Sequence, residues 1–313
     1  MKELIKKVFV WLFRPIQRRT IDPIVYALEE ERMLIAKLLI REIRTGGVKN
    51  DLRSSEFRVF SQTGEDGIIQ FLISRVPIEN DIFIEFGVED YAESNTRFLL
   101  MNDNWRGLVI DGSMANVEKI KKSSYFWRRE LTAVCGFINK ENINDLIRSG
   151  GIAGDIGLLS VDIDGNDYWV WESINVVSPR IVVCEYNGLF GPREAVSIPY
   201  SESFVRTEAH YSRLYFGTSL KALCVLAEKK GYAFVGCDSG GVNAFFVRKD
   251  VAADLPHLSC EEGYVRNRVR ESIDRNGKYT YLTGDDRIKL VQDMPVVDVV
   301  TGERKLIKDL ALY

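Results

Sequence analysis

The sequence has only two histidines, His210 and His257, and five cysteines, no two of them at CxxC spacing. An odd count without paired spacing speaks against a secreted disulfide framework. Cys135, Cys184 and Cys237 fall in or at the end of apolar β-like runs, as reduced core thiols do. A cytoplasmic protein is therefore expected. Neither GxGxxG nor a GKS or GKT triplet occurs, which argues against NAD and P-loop nucleotides. Near the N-terminus the longest apolar run is residues 8–13. That is about half a secretory h-region and far short of the ~20 residues that span a bilayer. Internal repeats and low-complexity stretches are missing too. Net charge is only −3, so the chain as a whole does not attract nucleic acid, and no nucleic-acid partner is expected. What remains is a chain with 46% apolar and 28% charged residues, which excludes a disordered tail and a collagenous repeat.

The near-neutral total hides an asymmetry. Residues 1–19 carry Lys2, Lys6, Lys7, Arg14, Arg18 and Arg19 against one acid, Glu3. That segment is +5, which leaves −8 for the remainder. Read as a helix, Leu4, Ile5, Val8, Trp11, Leu12 and Ile16 share one broad face with bases around it. Such a helix either lies on an anionic membrane surface as a peripheral contact or packs on its own domain or a second subunit, giving a homo-oligomer. Asp22 can cap, and Pro23 fits the first turn, of a second helix expected over 23–44 and ending at Gly46-Gly47. Residues 1–45 thus read as an N-terminal helical extension and 46–313 as the main domain.

After residue 60 the pattern alternates. Short apolar runs at 82–86, 107–110, 131–134, 157–161, 180–184, 232–236 and 243–247 suit strands buried on both faces. Helical stretches at 67–75, 95–101, 114–121, 140–148, 168–173 and 219–230 separate most of them. This predicts an α/β fold with a doubly wound, mostly parallel sheet. Only a turn, 237–242, separates the last two strands, so they should pair as an antiparallel hairpin. Parallel strands closed in this way make the Rossmann-like class I methyltransferase layout. A plain dinucleotide-binding fold continues with parallel crossovers.

Ligands of open α/β sheets sit beyond the carboxyl ends of the strands. The loop after the first strand holds Glu85, Gly87, Glu89, Asp90 and Glu93. Acid lining disfavours a pyrophosphate and suits a cation such as S-adenosylmethionine (SAM), which carries a sulfonium and an ammonium. Asp111 ends the second strand, 24 residues after Gly87, where an acid can accept both ribose hydroxyls of an adenosine. Gly136 and Phe137 follow the third strand, where they can flank an adenine. After the fourth come Asp162, Asp164 and Asp167. Crowded carboxylates repel unless a cation or a proton neutralises them. Glu185 and Asn187 end the fifth strand. Asp162, Glu185 and Asn187 can share Mg²⁺ or Mn²⁺, while an Asx turn at Asp164-Gly165 explains the same residues without a metal. An EF-hand is not expected, because Ser173 stands at the twelfth position.

At this point the residues resemble a family. Phe60-Ser61-Gln62-Thr63-Gly64-Glu65-Asp66-Gly67 is similar to the SQxGED opening of FkbM-like SAM-dependent methyltransferases. Glu85-Phe86-Gly87, Glu93-Ser94-Asn95-Thr96 and Trp105 to Asp111 resemble its cofactor half. The stretches 162–167, 185–187, 215–220 and 241–247 continue the match, which covers roughly residues 58–250. The resemblance implies methyl transfer from SAM, often to a hydroxyl of a sugar, glycan or small metabolite. It implies SAM contacts by Gln62, Glu85, Gly87, Ser94, Asn95 and Asp111. Two positions depart from it. Tyr91-Ala92 stands where a second loop glycine is usual, and Asp162-Ile163-Asp164-Gly165 replaces the usual D-x-E-G.

Transfer to oxygen needs the acceptor hydroxyl to lose a proton, to a base or with a metal lowering its pKa. Asp162 and His210 are the candidate bases. Tyr200, Arg206 and Arg213 are placed to hold an anionic or polyhydroxylated acceptor. Two other readings use the same residues. Asp162-Ile163-Asp164 is also the DxD of metal-dependent nucleotide-sugar glycosyltransferases. Alternatively, a methyltransferase scaffold without activity serves assembly.

Overall fold

The computed structural model describes residues 22–46, 51–252 and 255–312. The basic helix expected over residues 1–19 lies outside them. The first described element is α1 (Asp22–Thr45). Its Ala36, Ile40 and Ile43 are buried at helical spacing in the core that α2 (Glu65–Arg75) shares. Glu29 of α1 also pairs with Arg97 at 3.0 Å. The opposite face of α1 leaves Ile24, Leu28, Ile35 and Leu38 about half exposed or more. No described helix is long and apolar enough to cross a membrane.

The central sheet has seven strands: β1 (Ile82–Phe86), β2 (Arg106–Asp111), β3 (Leu131–Cys135), β4 (Gly154–Val161), β5 (Val177–Glu185), β7 (Tyr232–Cys237) and β8 (Asn243–Arg248). Their order is β3-β2-β1-β4-β5-β8-β7. The first five run parallel. β8 slots between β5 and β7, antiparallel to both. This is the class I methyltransferase sheet, Rossmann-like with one reversed strand. The order turns at β1 and β4, so their carboxyl ends open a crevice.

Side-chain alternation builds both faces of the sheet. Phe83, Val109, Leu158, Ile181 and Phe245 join the core under α1 and α2. Ile84, Leu108, Leu159, Val182 and Phe246 join the opposite core. There they meet α6 (Asp167–Ser173) and α8 (Leu220–Lys230). Each fully buried large side chain contributes about 1.5–3 kcal/mol. The helices begin where capping residues stop extended backbone. Ser219 accepts the Ala222 N–H at 3.1 Å, and Ser113 caps α3 (Met114–Lys122) in the same way.

The seven expected strands are all present. For the region after β8 the sequence suggests only a hairpin around Thr301-Gly302, and that hairpin is present. β6 (Val196–Ser197), β9 (Pro295–Asp298) and β10 (Arg304–Leu306) form a separate antiparallel sheet, with β9 in the middle. Phe190, Ile198, Leu214, Val291, Val296 and Ile307 make a small core beside it. The C-terminal segment therefore packs on the chain between β5 and α8.

Candidate functional site

A cavity of about 420 Å³ opens at the carboxyl ends of β1, β2, β4 and β5. Gln62, Glu85, Gly87, Ser94, Asn95, Asp111, Gly136, Phe137, Asp162 and Glu185 all line it. Each is a site residue expected from the sequence, and one cavity gathers them.

The SQxGED segment fixes the position of Gln62. Asp66 Oδ2 accepts the N–H groups of Val59, Phe60 and Ser61 at 2.7, 2.7 and 3.0 Å. Glu65 Oε2 accepts those of Thr63 and Gly64, and its other oxygen accepts Asn243 Nδ2 at 2.9 Å. Both acids hold the loop that presents Gln62 at the cavity mouth. Burial pushes Asp66 up to about 6, against the pull of its backbone donors.

Glu85 plays a similar part. It accepts Ser94 Oγ at 2.5 Å, Thr96 Oγ1 at 2.5 Å, and the N–H groups of Asn95 and Thr96. Burial raises it above the ordinary glutamate range, while these donors oppose the rise. Most of its acceptor capacity goes to folding residues 94–96 back over β1. Asn95 then reaches Ser160 Oγ at 3.1 Å. Gly87 has φ 69°, and a Cβ there would lie 1.8 Å from the Asp162 carbonyl. Only glycine lets the ends of β1 and β4 approach so closely. Tyr91, in place of the usual glycine, adopts φ 61°. Its fully buried ring and a 2.9 Å hydrogen bond to Thr96 Oγ1 hold this unfavourable backbone.

Asp111 Oδ1 receives the Ser113 N–H at 2.8 Å and Asn116 Nδ2 at 3.2 Å. Its Oδ2 receives the Glu89 N–H at 2.8 Å. One lone pair of Oδ2 remains for an outside donor. Phe137 is half exposed beside it, a bare ring that a flat ligand can cover.

The other end of the cavity is acidic. One oxygen each of Asp162, Asp164 and Glu185 lie within 4.8 Å of one another. Burial, then the carboxylates of Asp164 and Asp167, pushes Asp162 well above the aspartate range. Burial, then Asp162, does the same to Glu185. Glu185 Oε2 is buried with no hydrogen-bond donor. Neither Asn166 Oδ1 nor Asn243 Oδ1 has one, and both residues line the same cavity. Asn243 sits opposite Glu185 in the β5–β8 register. Asp167 faces inward to the backbone, accepting the Ile163 and Gly165 N–H groups at 2.8 and 2.9 Å.

Arg206 closes this end. Its guanidinium donates to Asp164, to Glu271 at 2.6 Å and to the Arg213 carbonyl at 2.7 Å. It also lies 3.7 Å above the Phe216 ring. Asn267, Val269 and Glu271 of the C-terminal segment complete the wall. The sequence suggests no function for that segment. Its pattern carries no strand or helix signal that would bring it to the cavity.

Four expected residues, Asn187, His210, Tyr200 and Arg213, do not line the cavity. Asn187 is buried, and both ends of its amide are occupied. Nδ2 donates to the Leu214 and Phe216 carbonyls, and Oδ1 accepts the Leu189 N–H. It braces the loops and is replaced in the oxygen cluster by Asp164. His210 does not line the cavity. Its Nδ1 is 2.7 Å from Ser212 Oγ, and its ring lies 4.4 Å from that of Tyr211. Burial, then Arg275, pulls it below the ordinary histidine value. Tyr200 donates to Glu141 and also lies outside the cavity lining.

No family model matches the chain, and no curated protein matches it. Solved structures share its outline weakly. The N-terminal domain of EvdMO1 with SAH bound is 10% identical, with 68% of this chain and 94% of that chain covered and a TM-score of 0.39. A SAM-dependent methyltransferase from Clostridium acetobutylicum is 11% identical, covering 54% and 85%, with a TM-score of 0.34. An O-methyltransferase family protein from Burkholderia thailandensis is 8% identical, covering 59% and 58%, with a TM-score of 0.37. The strand order, and not these likenesses, carries the assignment of fold.

Proposed function

We propose that this chain is a SAM-dependent O-methyltransferase of the FkbM-like kind, acting on a hydroxyl of a sugar or glycan. One observation supports it above the rest. A single cavity has Asp111, with a free lone pair, among its walls, together with a cluster of buried oxygen acceptors that lack donors.

The cofactor end fits SAM. Asp111 would take a ribose hydroxyl, Phe137 would cover the adenine, and Gly87 leaves the backbone open to close approach. The acidic loop after β1 suits the cofactor's positive charge. When bound, SAM supplies an electrophilic methyl group. The chain's own residues then orient the acceptor and remove its proton. Proximity of this kind supplies a large part of such a rate. Asp162 is the base in this reading, because a carboxylate raised towards neutrality takes a hydroxyl proton better than an ordinary one. The unpartnered oxygens of Glu185, Asn166 and Asn243 favour an acceptor rich in hydroxyl donors.

The cluster of Asp162, Asp164 and Glu185 also favours a second version. An all-oxygen donor set fits Mg²⁺ or Mn²⁺, which would lower the acceptor's pKa there. Arg206 already neutralises part of Asp164.

The test is calorimetry with S-adenosylhomocysteine. Wild type should bind, and Asp111→Ala should bind at least ten times more weakly, as expected for a lost charge-assisted hydrogen bond. Equal affinities would remove Asp111 from the site. Binding of a UDP-sugar with no S-adenosylhomocysteine binding would favour the glycosyltransferase reading. Binding of neither would favour the inactive scaffold. Full turnover in EDTA would exclude the metal version.

A further inference from the structure

The C-terminal segment 264–281 has a feature that the cavity does not use. It carries Arg266, Arg268, Arg270, Arg275 and Lys278 against two acids, Glu271 and Asp274, in a chain that is −3 overall. Both acids are already engaged. Glu271 turns to Arg206, and Asp274 accepts the N–H groups of Asn276 and Lys278. Arg266 pairs with Asp285. Arg268, Arg270, Arg275 and Lys278 are exposed and form no ion pair among the described residues. Two of them lie over rings. Arg270 is 5.6 Å from the centroid of Tyr281, and Arg275 is 4.4 Å from that of Tyr211.

Position gives this patch its meaning. Asn267, Val269 and Glu271 line the cavity at alternate positions. Arg268 and Arg270 stand between them and face solvent. The strip that walls the acceptor end therefore presents cations on its outer side. Inside the cavity that end is acidic and repels an anion. Any anionic part of the acceptor must lie outside, next to the hydroxyl-binding pocket but beyond it.

We infer that the acceptor carries a phosphate or diphosphate group, which Arg268 and Arg270 hold outside the cavity, with Arg275 and Lys278 adding to the field. This rests on the methyltransferase reading above and names the class of its acceptor. Arginine suits the role because its fork of donors matches phosphate oxygens. Two sources share this chemistry: a soluble sugar phosphate or diphosphate, and the headgroup of a phosphate-bearing lipid.

Titrating the full chain with inorganic pyrophosphate, and sedimenting it with phosphatidylcholine–phosphatidylglycerol vesicles, tests this and separates the sources. Pyrophosphate binding points to the soluble one, and vesicle binding alone to the lipid. In either case Arg268→Gln/Arg270→Gln should weaken binding roughly tenfold, and added salt should weaken it further. Arg268→Lys/Arg270→Lys keeps the charge but loses the fork, so its affinity should fall between those of wild type and the glutamine variant. S-adenosylhomocysteine affinity should stay unchanged in both variants. If that affinity is absent in wild type, the methyltransferase reading fails. If it is present but neither probe binds, or the glutamine variant binds as well as wild type, the phosphate inference is overturned.

Discussion

Gly87 and Asp162 meet backbone to backbone, and that contact sets the floor of the cavity. Gly87→Ala meets both a left-handed φ and the Asp162 carbonyl, so it should cost roughly 2–4 kcal/mol. A melt should show a clear fall in Tm, and an unchanged Tm would show that the two strand ends can separate freely. Asp162→Asn keeps the shape and removes the charge. Turnover should drop at least a hundredfold, the usual scale for a lost base, while S-adenosylhomocysteine affinity holds. Near-normal turnover would leave Asp162 without a chemical role. Individual residues were readable to different depths. The end of β2 placed Asp111 at the cavity, but its turn and capping bonds to Ser113, Asn116 and Glu89 were not legible in the sequence. Glu85 was found, but its work was not, since its donors become neighbours only when 94–96 fold back. Asn187 looked like a ligand until its carbonyl partners, about thirty residues on, came into view.

At the scale of elements, apolar runs disclosed the sheet well. β1, β2, β4 and β5 are buried on both faces for most of their length, so burial shows directly as Ile, Leu, Val and Phe, whereas edge strand β3 leaves Thr132 exposed. Likewise, the hairpin of β7 and β8 followed from a turn too short for a crossover. The turn at Thr301-Gly302 marks the β9–β10 hairpin, but β6 and its pairing with β9 escaped notice because a strand of two residues has too few positions to alternate. Arg206 ties the C-terminal segment to the acidic end of the cavity, bonded at once to Asp164, to Glu271 and to the Arg213 carbonyl, while Tyr186 and Arg287 hold the Val265, Asn267 and Val269 carbonyls. Arg206→Ala should loosen the Glu271 end of this segment while Arg287 still holds Asn267 and Val269. Trypsin should then cut at Arg270 several times faster, with the sheet still resistant. Wild-type cleavage kinetics would mean that the segment is held by its own packing.

Over the whole molecule, charge divides by place. Carboxylates gather inside the crevice and cations on its outer rim, an arrangement that the total of −3 conceals. Buried acids also make stability depend on pH. Burial, then Glu65, pushes Asp238 up to about 7, and burial pushes Asp66 up to about 6. The folded chain keeps these protons to higher pH than the unfolded chain does. Their contribution is therefore full below about pH 4 and is lost as pH rises towards 7. Tm should fall between pH 5 and pH 8, and Asp238→Asn should flatten that slope; an identical slope in the variant would exclude Asp238 as its source. The late position of the cavity's outer wall has a consequence for synthesis. A nascent chain that has emerged as far as residue 250 owns every strand of the main sheet and the whole cofactor end. Asn267, Val269, Glu271 and β9 have yet to leave the ribosome. Under the proposed function such a chain would own a cofactor end before it has a closed place for an acceptor, so the order of translation would separate the two halves of the site in time.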